Sequence, residues 1–174
     1  MTLWTDSFDT PIGRLGIVVD DSRAVKRLHF GPVEEPGLRR DAKAIAAVRD
    51  QVEEYFAGER RVFDLELAPE GTAFQRAVWD GLLSIPFGRI SSYGELAVRV
   101  GRPAASRAVG AANGANPIAL IIPCHRVVGQ DRSLTGFGGG IGVKAALLAH
   151  EGVLAPELVK GAMARTRIEA ATLL

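Results

Sequence analysis

The four residues Ala68-Pro69-Glu70-Gly71 divide this 174-residue chain into two parts with different textures. A Pro and a Gly so close together interrupt regular structure, and both the hydrophobic period and the charge change across them. Residues 1–70 carry 10 Lys/Arg against 14 Asp/Glu, whereas residues 71–154 carry 8 against 4. The sequence therefore predicts a domain over 1–70, a second over 71–155, and a tail over 156–174 that carries no chemical motif.

The first part reads as a small α/β unit. Leu15 to Val19 and Val25 to Phe30 are apolar segments joined by Asp20-Asp21-Ser22-Arg23, the composition of a hairpin turn. Ile45, Val48, Val52, Tyr55 and Phe56 then recur at helical spacing, with Gly58 where such a helix should stop. Phe63, Leu65 and Leu67 alternate with acids and predict a further half-buried strand. No catalytic grouping falls in this part.

Beyond Gly71 the pattern is helical. Thr72 and Gln75 have capping-box spacing ahead of Phe74, Val78, Trp79, Leu82 and Leu83, and Pro86-Phe87-Gly88 ends that helix. Ser92 and Glu95 form a second capping box, predicting a short helix through Val100. Gly101-Arg102-Pro103 turns the chain into a third helix, Ala104 to Ala115, so the pair has the form of a helix-turn-helix. Small residues dominate the third helix, which suits close approach to a partner, and Arg107 rises from that face. Four arginines, Arg89, Arg99, Arg102 and Arg107, fall in 19 residues with Glu95 as the only acid among them, a local footprint for phosphate.

The chain has one cysteine. Cys124 follows the apolar run Ile118-Ala119-Leu120-Ile121-Ile122, read as a buried strand, and sits between Pro123 and His125. Only the thiolate is a useful nucleophile, and a neighbouring imidazole can pull a thiol below its ordinary value of about 8.5. On residues alone, an inert core cysteine is the competing reading. A single cysteine excludes an intramolecular disulfide and fits a reducing compartment. The start has no leader-like pattern, and no apolar run approaches the roughly 20 residues that cross a bilayer, so the expectation is cytoplasmic, with no membrane partner. Gly129 to Gly142 holds six glycines and predicts a loop. Val143 to His150 reads as a last helix ending at Glu151-Gly152.

Together, Pro123-Cys124-His125-Arg126-Val127-Val128, Ser106-Arg107-Ala108-Val109-Gly110, Asn116-Pro117 and His150-Glu151-Gly152 resemble the O6-alkylguanine-DNA alkyltransferases. The likeness is dense from Gly71 to Gly152 and looser before it, through Thr10-Pro11-Ile12-Gly13. It implies a ribonuclease-H-like α/β domain followed by a mostly α winged helix-turn-helix domain. It implies direct-reversal repair of double-stranded DNA containing alkylated guanine, with O4-alkylthymine as a further substrate left open. The base is flipped out, and its alkyl group moves irreversibly to the protein.

The resemblance also assigns roles. Cys124 becomes nucleophile and acceptor, His125 a base acting through a water, and Glu151 the group that orients His125. Tyr93 donates toward the guanine ring. Arg107 fills the space that the base leaves, with Ser92, Tyr93, Ala108 and Gly110 beside it at the DNA. Asn116, Val127, Phe137 and Gly138 line the guanine pocket, Phe137-Gly138 standing where some members have Tyr-Ser. Neither metal nor cofactor is implied, and a monomer is expected, with cooperativity on DNA open. Two other classes remain: a lesion-sensing or winged-helix DNA-binding protein without transfer, and a cysteine hydrolase using Cys124, His125 and Glu151.

Overall fold

The computed structural model describes residues 1–159 and 161, which form two compact units. Met1–Glu70 and Pro117–Ile121 make the first, and Gly71–Asn116 with the chain from Ile122 onward makes the second.

The first unit is built on a four-stranded sheet of order β3-β2-β1-β4, comprising β1 (Leu3–Thr10), β2 (Gly13–Val19), β3 (Val25–Phe30) and β4 (Leu38–Arg40). β1, β2 and β3 pair antiparallel, whereas β4 runs parallel to β1. Every residue of β2 from Leu15 to Val19 is buried, the continuous apolar signature of a strand covered on both faces. Helix α1 (Ala46–Phe56) adds Val48, Val52 and Tyr55 to the core.

The expected strand over Phe63 to Leu67 is reduced to a single bridge between Leu67 and Val25. The physical reason lies on α1. Gln51 donates from Nε2 to the Asp64 carbonyl at 2.9 Å and accepts the Asp64 N–H at 2.8 Å, so a side chain holds the backbone groups that a ladder would need. The apolar run after Asn116 is likewise not a strand. Leu28 donates to the Pro117 carbonyl at 2.9 Å and Ala119 returns a bond to the Leu28 carbonyl at 3.1 Å. Leu120 then turns to φ 71°, which ends the extension, and the bonds to Leu28 group 117–121 with the first unit.

In the second unit, α2 (Ala73–Leu83) opens with the Thr72/Gln75 capping box, and α3 (Tyr93–Arg99) with that of Ser92 and Glu95. α4 (Ser106–Gly114) begins two residues later than the sequence suggested, so residues 100–105 make the connection. Trp79 is buried and donates from its indole to the Ala112 carbonyl at 2.8 Å, fixing α2 against α4. A two-residue strand β5 (Ser91–Ser92) pairs parallel with β6 (Val127–Val128). α5 (Ile141–His150) starts after Gly140, whose φ of 92° suits glycine alone. Ile90, Val128, Leu134, Ala145, Leu148, Val153 and Leu154 form the core under the loop and α5, each large side chain stabilising the fold by about 1.5–3 kcal/mol. The tail is described only to Val159 and at Gly161; the expectation for the rest of it lies outside the described residues.

Candidate active site

Cys124 opens a 3₁₀ turn, Cys124–Arg126, that leads directly into β6. Its backbone N–H donates to the Ile122 carbonyl at 2.8 Å, and the Asn116 side chain donates to the same oxygen at 2.8 Å. Asn116 thus ties the end of α4 to the turn that presents the thiol. Cys124 is 6% exposed.

The first consequence of that burial overturns an expectation. Burial pushes the Cys124 thiol up, opposed by the Asn116 hydrogen bond, the Lys144 charge and nearby backbone N–H groups. The His125 imidazole does not lower it. Burial holds His125 below its ordinary value, so the ring is neutral at rest. Its Nε2 lies 2.7 Å from Glu151 Oε2, and its Nδ1 is buried with no hydrogen bond to the described residues.

Glu151, the residue that caps the C-terminus of α5, is the hub of this cluster. Arg126 donates from Nε to Oε1 at 2.7 Å and from Nη2 to Oε2 at 3.2 Å, and its Nη1 reaches the Ile85 carbonyl at 2.7 Å. Burial works to raise the Glu151 pKa, but His125 and Arg126 together bring it down to about 2. The permanent countercharge is Arg126, since guanidinium does not titrate.

Tyr93 is the first residue of α3, and its hydroxyl lies 2.7 Å from Thr135 Oγ1. Burial raises the Tyr93 phenol, which keeps its proton in place. Its ring lies near Gly110 of α4, where an added Cβ would stand at ordinary contact distance, 3.6 Å from the ring. Lys144 is fully buried on α5; its Nζ donates to the Val127 carbonyl at 2.6 Å and to Thr135 Oγ1 at 3.0 Å. Burial lowers Lys144 to about 8, against the pull of Cys124.

Cys124, His125, Glu151, Asn116 and Val127 are therefore brought together with Tyr93. Phe137 is half-buried and Gly138 exposed in the loop before α5. Arg107 and Ala108 are exposed on α4, and Arg107 makes no ion pair with the described residues. Ser92, expected at the DNA, is engaged within the protein. It is 2% exposed and its hydroxyl accepts the Glu95 N–H at 3.1 Å, so the side chain serves the start of α3. Three participants went unnoticed in the sequence: Arg126, Thr135 and Lys144. Lys144 left one signal, being the only charged residue between Arg132 and His150.

The matches to known proteins cover both units. The DNA-binding domain of 6-O-methylguanine DNA methyltransferase matches residues 73–153, and the ribonuclease-like domain of the same family matches residues 4–69. The methylated-DNA–protein-cysteine methyltransferase of Mycobacterium tuberculosis (strain ATCC 25618 / H37Rv) is 47% identical over 161 residues, 86% of this chain and 93% of that one. The protein of the same name from Methanosarcina acetivorans is 44% identical over 150 residues, 83% of this chain and 96% of its own. The crystal structure of Mycobacterium tuberculosis OGT in complex with DNA superposes with a TM-score of 0.82 at 44% identity, covering 90% of this chain and 98% of that chain. With both domains matched in order and nearly half the residues identical to curated relatives, the chain belongs to the 6-O-methylguanine DNA methyltransferase family.

Proposed function

We infer that this chain is a methylated-DNA–protein-cysteine methyltransferase, which repairs DNA by direct reversal and is consumed in doing so. Cys124 takes the alkyl group from O6-alkylguanine; a thioether has no easy return to thiol, so each molecule acts once. The observation that carries this reading is the lone Cys124 beside a His125 already held by Glu151, within the part of the chain that matches the family's DNA-binding domain.

The chemistry follows from the proton positions. Because burial keeps Cys124 as a thiol, its proton must leave as the sulfur attacks. His125 is neutral and has Nδ1 available, so it can take that proton through a water, and Glu151 stabilises the imidazolium that results. The S–C bond forms as the C–O6 bond breaks, and the electron pair stays with guanine. Tyr93 donates a proton to the departing ring, an assistance typically worth about 10²–10⁴ in rate.

The DNA-facing reading rests on α3 and α4 acting as a winged helix-turn-helix. Arg107 enters the stack where the flipped base was, offsetting an unstacking cost of a few kcal/mol. Ala108 and Gly110 keep that face low enough for the minor groove. Val127, Asn116, Phe137 and Gly138 line the base pocket, with the Gly138 N–H as donor in place of a hydroxyl. The Val127 carbonyl already accepts from Lys144 and has a second lone pair for the base. We place the protein in the cytoplasm, as a monomer on double-stranded DNA that carries alkylated guanine.

Intact mass after incubation with O6-methylguanine duplex is the test. The protein should gain one methyl group, stop at one equivalent, and gain none as Cys124→Ala. Continued turnover would indicate hydrolase chemistry, and tight lesion binding without a mass change would indicate a sensor.

A further inference from the structure

Successive side chains of a strand point to opposite faces of the sheet, yet the neighbours Lys26 and Arg27 of β3 line the same cavity. Its volume is about 290 Å³, and its other walls among the described residues are Leu3, Glu70 and Pro117. The register accounts for the pair of cations. Val18 is opposite Arg27 and Val19 is opposite Val25, so Lys26 is an extra residue that β2 does not match. A bulge of this kind re-aims a side chain, and bulges gather where a sheet serves a site. All five lining residues belong to the first unit, and none takes part in the cluster around Cys124.

The cavity is more basic inside than at its mouth. The Lys26 side chain is 14% exposed, whereas Glu70, its ion-pair partner at 3.0 Å, is 80% exposed. Solvent and salt screen a carboxylate so placed, and it holds its partner weakly. Arg27 spends one N–H of Nη1 and one of Nη2 on Glu35, at 2.6 and 2.9 Å, which leaves three of the five guanidinium donors for other acceptors. Glu35, and after it Glu70, raise the Arg27 guanidinium above its ordinary value against burial, so Glu70 acts on both cations. Leu3 and Pro117 supply apolar wall beside these donors.

We propose that this cavity binds a small organic anion, a carboxylate or phosphate monoester on a compact apolar body. The charged end displaces Glu70 from Lys26 and also meets Arg27, while the apolar part rests on Leu3 and Pro117. The cavity volume is at the small end for ligand pockets, which run from roughly 300 to 1,000 Å³, and so calls for a compact ligand. The inference stands apart from the alkyl-transfer reading, because it concerns the first unit and uses none of the residues around Cys124.

The test is calorimetric titration of the full-length protein at neutral pH and low salt with benzoate and with phenyl phosphate. Benzamide serves as the uncharged counterpart of benzoate. One or both anions should bind in the millimolar range or tighter, and benzamide about tenfold or more weaker than the anions. The tighter of the two anions identifies the headgroup. Lys26→Met keeps an apolar stem and removes the charge, and should weaken binding by about tenfold or more. Glu70→Gln removes the competing carboxylate and should tighten binding by about two- to fivefold, the factor that a weak surface pair is worth. Since the two variants are expected to move affinity in opposite directions, a general loss of folding cannot imitate the result. The proposal is overturned if neither anion binds in the millimolar range, if benzamide binds as well as benzoate, if Lys26→Met titrates like the wild type, or if Glu70→Gln binds no more tightly than it.

Discussion

Arg126 grips both carboxylate oxygens of Glu151, at 2.7 and 3.2 Å, with side-chain exposures of 8% and 0%. The carboxylate that contacts His125 is thus anchored by the Arg126 guanidinium, and in the proposed mechanism folding and catalysis meet in one residue. Removing one partner of a buried pair typically costs about 3–5 kcal/mol, because the other charge is left uncompensated. Glu151→Gln should therefore lower stability in urea by an amount of that order as well as slow alkyl transfer. A variant that was slow but fully stable would mean that Arg126 had found another acceptor.

Acid should unfold the protein through this cluster. The folded carboxyl of Glu151 lies at about 2 against an ordinary 4.5. Its stabilising contribution is complete above the unfolded value and is lost as pH falls from about 4.5 toward 2. A shift of that size corresponds to roughly 3 kcal/mol at most. His125 acts in the same direction from its ordinary 6.5 downward, since the unfolded chain binds the proton that the buried ring refuses. Urea midpoints measured from neutral pH to about pH 3 should fall steadily, and the part below about pH 4.5 should be shallower in Glu151→Gln.

Lys144 predicts a slope of the same sign in a higher pH window, and a trade-off. With a folded value of about 8 against 10.5, the folded state binds fewer protons than the unfolded state between those limits. Stability contributed at this site therefore rises with pH across that window, and the full cost of the charge is present below it. Lys144→Met should stabilise the fold at neutral pH by about 1–2 kcal/mol, less than the charge alone implies because the Val127 carbonyl and Thr135 lose a donor. The same variant should transfer alkyl groups slowly, because Cys124 loses a nearby positive charge that favours its thiolate, a gain in stability at the expense of activity. Thermal unfolding at pH 7 and near pH 10 checks both parts, since the advantage over wild type should shrink at the higher pH.

Much of this was legible in the residues because the signals were local. The Thr72/Gln75 and Ser92/Glu95 capping boxes specify hydrogen bonds within four residues, and both formed as written. The β2–β3 hairpin followed from two apolar runs around Asp20-Asp21-Ser22-Arg23. β1 and β4 escaped notice: Leu3–Thr10 has only Thr5 and Phe8 buried, and Leu38–Arg40 is short and charged, so neither carries a clear alternation. Ile118–Ile122 misled for a different reason, since apolar content records burial but not the φ of 71° at Leu120. At the site, Cys124 and His125 stood out as neighbours in sequence. Thr135 meets Lys144 and a tyrosine 42 residues away at one hydroxyl, a relation that no local pattern encodes. The direction of the Cys124 pKa was missed because adjacency says nothing of which way a ring points or how dry its surroundings are.

The basic segment makes its own prediction, since its four arginines are not equivalent. Arg99 donates to the Ser84 hydroxyl at 2.8 Å, and Arg102 lies 5.9 Å from the Phe74 ring centre, so both are engaged within the protein. Arg107 projects from an α4 face made of Ser106, Ala108 and Ala111, all exposed and short. A cation that only met phosphate would change affinity uniformly, contributing about −0.9 to the log-log salt slope on duplex DNA. One that fills the stack would instead act on the extruded state. Arg107→Ala should accordingly impair repair of O6-methylguanine in duplex DNA far more than reaction with free O6-benzylguanine, which needs the pocket and Cys124 but no extrusion. Both rates are measured on the same variant, with the salt dependence of binding alongside. Equal losses on free base and duplex would assign Arg107 to the fold or the pocket, whereas a reduced salt slope with no selective loss on duplex would leave it a phosphate contact and remove α4 from the flipping step.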